Sequence, residues 1–154
     1  MSEPGPRRIA VVDDEENILR ALSRSLAREG YQVFTFQRPA DAIEALKELA
    51  PHAVVSDHLM PEMTGLEFLK VVRNRAPDTC RIMLTGHAEM QTAIDAINDG
   101  EIYRFLTKPC SPLQLAQTLR DALMFLDLTR EGKRLLTAVK RQRNVLQELE
   151  RRHP

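Results

Sequence analysis

The chain lacks any apolar stretch near the ~20 residues needed to cross a bilayer, so no membrane span is expected. Residues 1–8 hold no apolar run of the secretory type and are expected not to be a signal peptide. Cysteine is scarce: Cys80 and Cys110 are the only two, and their separation fits neither a metal site nor a redox pair. Two reduced thiols in a cytoplasmic protein are predicted. Charge of one sign is missing in excess. The 22 basic and 22 acidic residues cancel, so bulk charge argues neither for nucleic acid nor against it, and no DNA-reading motif appears. There is no internal repeat and no low-complexity tract. With 154 residues, 43% apolar and 29% charged, the chain has the size and composition of about one domain with a single sizeable core.

What is present is an alternation of short apolar runs with helix-period segments, which predicts a doubly wound α/β fold. Residues 1–6 carry two prolines and a glycine and read as a flexible leader. The first strand runs from Arg8 to Asp13. Ile18, Leu19, Leu22 and Leu26 then recur at helical spacing, with Gly30 where a C-terminal cap belongs. Tyr31 to Phe36 is the second strand, and Pro39 opens a helix with Ala42, Leu46 and Leu49 inward. The third strand ends at Asp57. Thr64-Gly65-Leu66-Glu67 has capping-box spacing and starts a helix carrying Leu66, Leu69 and Val72. Arg81 to Leu84 is the fourth strand, followed by a helix with Met90, Ala93, Ile94 and Ile97 that stops near Gly100. Ile102 to Thr107 is the fifth strand, and Ser111-Pro112-Leu113-Gln114 starts the last helix.

The polar residues that end these runs carry the chemistry. A carboxylate at the end of a buried strand, such as Asp57 after Ala53-Val54-Val55-Ser56, is costly unless something meets it there. Ile9-Ala10-Val11-Val12 stops at Asp13-Asp14, Ile82-Met83-Leu84 at Thr85-Gly86, and Phe105-Leu106-Thr107 at Lys108-Pro109. In an open parallel sheet the ligand site lies at the carboxyl ends of the strands. Three acids, a hydroxyl and an ammonium are therefore predicted to share one crevice. Asp13 and Asp14 suit Mg²⁺, which takes few carboxylates and keeps waters. Lys108 suits phosphoryl oxygens as a compact charge on a flexible stem, and Asp57 suits the role of nucleophile. Each piece has a plainer alternative: an acid pair also caps a helix, and a lysine is most often a solvated surface group. His58 and His87 fall on loops that would rim the site, with no third ligand for zinc. His52 and His153 carry no message.

The order Asp13-Asp14, Asp57-x-x-Met60-Pro61, Thr85-Gly86, Lys108-Pro109 resembles the receiver domain of two-component response regulators, over residues 7–125. The resemblance implies a flavodoxin-like five-stranded parallel sheet of order 2-1-3-4-5. It implies phosphorylation of Asp57 by a sensor histidine kinase or phosphotransfer protein. Asp14, Asp57 and the backbone carbonyl of Leu59 would touch Mg²⁺, with Asp13 acting mostly through water. It further implies a cis Lys108-Pro109 bond, and a Thr85 hydroxyl that meets the phosphoryl group, with Gly86 leaving room. Phe105, three residues before the lysine, would be the aromatic that turns inward, with Tyr103 on the same strand face. Leu59 offers water no hydrogen bond beside the acyl phosphate. The run Ile102 to Pro109 also resembles receivers joined to cyclic-dinucleotide hydrolases or to hydrogenase-type transcription regulators. Only self-phosphorylation and self-dephosphorylation chemistry is expected.

Two rivals remain open. A haloacid-dehalogenase-type phosphatase also uses an aspartate and Mg²⁺, but it wants an acid two residues after the nucleophile, where Leu59 stands. A phosphorylation-independent, receiver-like binding module would keep the fold alone. A nucleotide site fits poorly, because the turn Asp13-Asp14-Glu15-Glu16 has no glycine and repels phosphate unless a metal intervenes.

The last helix has no obvious stop. Phe125, Leu128, Gly132, Leu135, Val139, Gln142, Leu146 and Leu149 fall at alternating spacings of three and four, a heptad seam with two imperfect positions. Residues 126–154 are predicted to be a helical extension. It is expected to form a homodimer through this helix or to lead into an output domain outside this chain.

Overall fold

The computed structural model describes residues 5–152. Most of the leader expected at 1–6, and the residues 153–154, lie outside the described residues. Five strands, Arg8–Val12 (β1), Gln32–Phe36 (β2), Ala53–Asp57 (β3), Cys80–Thr85 (β4) and Arg104–Thr107 (β5), form one sheet. Its order is β2-β1-β3-β4-β5 and every pairing is parallel. The helices are Glu16–Arg28 (α1), Pro39–Leu49 (α2), Gly65–Arg75 (α3), Met90–Asn98 (α4) and Pro112–Arg152 (α5), with a short 3-10 helix at His87–Glu89. This is the doubly wound, flavodoxin-like sheet that the alternation and the resemblance predict.

Strand alternation explains how the sheet is covered. Ala10, Val12, Val54 and Met83 pack with Ala42, Leu46, Phe68, Leu69, Val72, Ala93 and Ala96 in one buried cluster, so α2, α3 and α4 share a face. Their strand neighbours Ile9, Val11, Val55 and Ile82 point the other way and are fully buried, as are Leu26 of α1 and Leu115, Leu119 and Ala122 of α5. Both faces are apolar, as a parallel sheet requires.

Local signals set the boundaries. Thr64 and Glu67 form a reciprocal capping box at the start of α3, at 3.1 and 3.0 Å; loss of such a cap costs about 1 kcal/mol. Pro39 sits in the first turn of α2. Gly30, at φ +92°, lets the chain leave α1. Ser111 Oγ accepts the Gln114 N–H at 3.0 Å, which caps α5.

Several details differ from expectation. β5 begins at Arg104, because the Ile102 N–H bonds back to Ala96 at the end of α4. Tyr103 therefore precedes the strand, with the Arg104 guanidinium 5.4 Å from its ring centre. In α4 the buried residues are Ala93 and Ala96, while Ile94 and Ile97 are exposed. The helix lies close enough to the core to prefer small side chains on its inward face. In α3, Phe68 is fully buried and Leu66 only partly so.

The chain divides into two compact units, Met1–Leu123 and Met124–Pro154. The second is helical through Arg152, and its seam residues Leu128, Leu135, Val139, Leu146 and Leu149 are all exposed.

Candidate functional site

Register carries the polar strand ends to one edge. Val12 pairs with Ser56, Asp57 with Leu84, and Thr85 with Thr107. Asp13, Asp57, Thr85 and Lys108 thus leave the sheet side by side. Carboxylate oxygens of Asp13, Asp14 and Asp57 all lie within 4.8 Å of one another. Asp13, Asp57 and Thr85 are buried, and Asp14 is exposed.

Lys108 balances this charge. Its Nζ is 3.0 Å from Asp57 Oδ1 and 3.6 Å from Asp13 Oδ2. The Lys108-Pro109 bond is cis. Burial alone would pull the Lys108 pKa down. The hydrogen bond to Asp57 and the charges of Asp13, Asp57 and Glu15 outweigh it and hold the ammonium above its ordinary value.

Asp13 is pushed the other way. Burial raises its pKa above the usual carboxylate range, with help from Asp57 and Asp14, against the lowering effect of the Glu15 N–H and Lys108. Its Oδ1 accepts that N–H at 2.9 Å, whereas its buried Oδ2 has no hydrogen-bond partner among the described residues. A buried carboxylate oxygen so placed, with two further carboxylates in reach, is a donor set that fits a hard cation such as Mg²⁺.

The remaining expected residues fall as follows. The Thr85 hydroxyl donates to the Gly86 carbonyl at 3.3 Å. Gly86 itself is uncrowded, with no atom within 4 Å of where a Cβ would stand. Leu59 is 61% exposed beside Asp57. Phe105 is partly buried and packs against the core cluster. His87 is exposed, but His58 is buried at 5% exposure rather than standing on a rim. Its backbone is pinned on both sides, by the His58 N–H to Leu84 and by the Gly65 N–H to its carbonyl.

Gly65 stands in the sequence pattern only as the second residue of the Thr64–Glu67 capping box. A Cβ there would collide with the backbone carbonyl of Asp57, so the glycine lets α3 begin directly against the strand that ends at Asp57. Its place beside the Thr64 cap, eight residues after Asp57, was the available signal.

The family model of the response regulator receiver domain matches residues 9–120. The chain belongs to this family. Receivers are signalling domains rather than classical enzymes, and neither the phosphatase nor the detached binding module is favoured. Among similar sequences is the hydrogenase transcriptional regulatory protein HoxA of Bradyrhizobium diazoefficiens, 37% identical over 80% of this chain and 25% of that protein. Similar solved structures include one described as an adenylate cyclase from Rhodopirellula baltica, with TM-score 0.81 and 31% identity over 86% of this chain and 98% of that one. Another is a beryllofluoride-activated NtrC4 receiver domain dimer, with TM-score 0.72 and 37% identity over 77% of this chain and 98% of that one. The chain spans about a quarter of the length of the curated relatives it matches. No described helix is long and apolar enough to cross a membrane.

Proposed function

We propose that this receiver takes a phosphoryl group on Asp57 from a sensor histidine kinase or phosphotransfer protein, and that the modification alters the face around Phe105 to control an output or partner. The observation that supports it most is Lys108 Nζ held 3.0 Å from Asp57, beside three carboxylates within 4.8 Å of one another. An Asp57 carboxylate oxygen supplies the electron pair for the new O–P bond. The P–N bond of the donor phosphohistidine breaks, and the imidazole nitrogen keeps its pair and is protonated from solvent. Asp13, Asp14, Asp57 and the Leu59 carbonyl would hold Mg²⁺, with Asp13 mostly through water. When bound, the ion offsets charge on the phosphoryl oxygens. Lys108 supplies the second positive charge, which suffices because phosphoryl transfer rests mainly on positioning and electrostatics. The Thr85 hydroxyl can exchange its Gly86 acceptor for a phosphoryl oxygen. Hydrolysis returns the Asp57 carboxylate and inorganic phosphate, so self-phosphorylation and self-dephosphorylation are its only reactions.

We assign residues 7–125 to the receiver and 126–154 to a helical extension that pairs with a second copy, in a cytoplasmic protein without nucleic-acid contacts of its own. Pairing is supported by the exposed apolar seam. The test of the core reading is incubation with Mg²⁺ and a small acyl phosphate, followed by intact-mass analysis. One base-labile phosphoryl group is expected, absent from Asp57→Asn. Undiminished labelling of that variant would sink the assignment.

A further inference from the structure

His58 follows the proposed acceptor directly, and its imidazole is almost wholly buried, with the residue 5% exposed. Its Nδ1 has no hydrogen-bond partner among the described residues. Its Nε2 stands 4.0 Å from Glu89 Oε2, beyond hydrogen-bond length. The buried Nδ1 is unpaired, which native interiors seldom keep, and Nε2 makes no hydrogen bond of good length among the described residues. The backbone of His58 cannot easily move to cure this, since it is tied to Leu84 at 2.9 Å and to Gly65 at 2.7 Å. The other nearby acid, Glu67, is committed to the Thr64 N–H at 3.0 Å.

Glu89 is the movable partner. It ends the 3-10 helix His87–Glu89, four residues after Thr85, and its N–H is tied to the Gly86 carbonyl at 3.1 Å. Its side chain is a third exposed and has room to swing. A shift of about an ångström would bring the carboxylate into hydrogen-bond range of Nε2.

We propose that His58 and Glu89 form a latch between the acceptor loop and the turn that carries Thr85. The contact tightens as that turn approaches Asp57, and so favours the arrangement in which Thr85 meets the phosphoryl group. His58 and Glu89 are positioning residues, since neither touches the reacting atoms. A neutral imidazole with its proton on Nε2 is sufficient. The inference rests on the reading of Asp57 as acceptor and Thr85 as its switch partner. By linkage, whatever closes the latch strengthens phosphoryl binding by the same factor.

The test uses the full chain with Mg²⁺ and beryllofluoride as phosphoryl mimic, read by the shifts of the Thr85 and Phe105 amides in 1H–15N spectra. Glu89→Ala is expected to bind the mimic about two- to tenfold more weakly, the range set by one net hydrogen bond. Glu89→Gln, whose amide oxygen still accepts, should recover most of this. Long-range 1H–15N spectra of His58 should show its Nε2–H signal move on mimic binding in the wild type and stay put in Glu89→Ala. Equal affinity of wild type and Glu89→Ala, with Thr85 shifting normally, overturns the latch and leaves the acceptor reading standing. A wild-type chain that binds no mimic overturns both.

Discussion

Gly65 lies against Asp57 so closely that a side chain on the glycine would overlap the aspartate's carbonyl oxygen and stand 2.7 Å from the His58 Cα. Both neighbours are backbone, so neither can swing aside. Gly65→Ala is expected to cost roughly 1–3 kcal/mol through overpacking and to displace the acceptor loop. Gly86→Ala should change stability by no more than about 0.5 kcal/mol, because the site is open and φ there is −84°. Urea unfolding of the two variants checks the contrast. Equal losses would show that crowding at Gly65 is not what matters.

Asp13 is held at a cost. Its folded pKa lies above the ordinary carboxylate value, so its stabilising contribution is complete below that ordinary value and is lost as pH rises through the folded one. Asp13→Asn removes the buried charge and keeps an oxygen for the Glu15 N–H. The variant is expected to melt a few degrees above wild type at pH 7 without Mg²⁺, and to gain little when Mg²⁺ is added. Wild type should gain by mass action. Lys108 is also raised, but its contribution is present at all pH below the ordinary lysine value and fades only in alkali. A variant that melts below wild type without Mg²⁺ contradicts this account.

Leu59, at 61% exposure beside the acceptor, offers attacking water no hydrogen bond. Leu59→Asn is expected to shorten the lifetime of phosphorylated Asp57 severalfold, measured by decay of the labelled mass. His87 is exposed nearby in sequence to Thr85 and could serve water in place of residue 59. Unchanged decay in the variant would show that Leu59 is not the brake.

The sheet was legible because a parallel strand is buried on both faces and reads as an unbroken apolar run, and because each run ended in a residue with chemistry. The convergence of Asp13, Asp57, Thr85 and Lys108 follows from strand order, which the resemblance supplied. Depth was harder to read. The apolar set Met90, Ala93, Ile94 and Ile97 marks a helix without saying which of its members lie deepest, and the buried residues are Ala93 and Ala96, a depth no helical period encodes. His58 looked like a loop residue because the apolar run had ended. Its backbone is tied to Leu84, far along the chain, and to Gly65 at the start of α3, and the local apolar pattern encodes neither bond. The start of β5 has a local cause, since the Ile102 N–H bonds back to Ala96 near the end of α4.

The helical unit beyond Leu123 carries the last prediction. Leu128, Leu135, Val139 and Leu146 are 66%, 59%, 60% and 61% exposed, and they recur at heptad spacing. Leu136 and Val145 flank them and are also exposed, which makes the stripe wider than a bare seam. A contiguous apolar stripe of this length marks an interaction site, and a second copy offers the same stripe in matching register. Gly132 and Gln142 weaken two layers without breaking the period. Basic residues exceed acidic ones along the unit, with Lys140, Arg141 and Arg143 together near its middle. Pairing should therefore strengthen with salt, which screens their repulsion. The full chain is expected to sediment as a dimer and a truncation after Phe125 as a monomer, with Leu135→Glu/Leu146→Glu behaving like the truncation. If full-length and truncated chains are both monomeric at high salt, the seam does not bind its own kind.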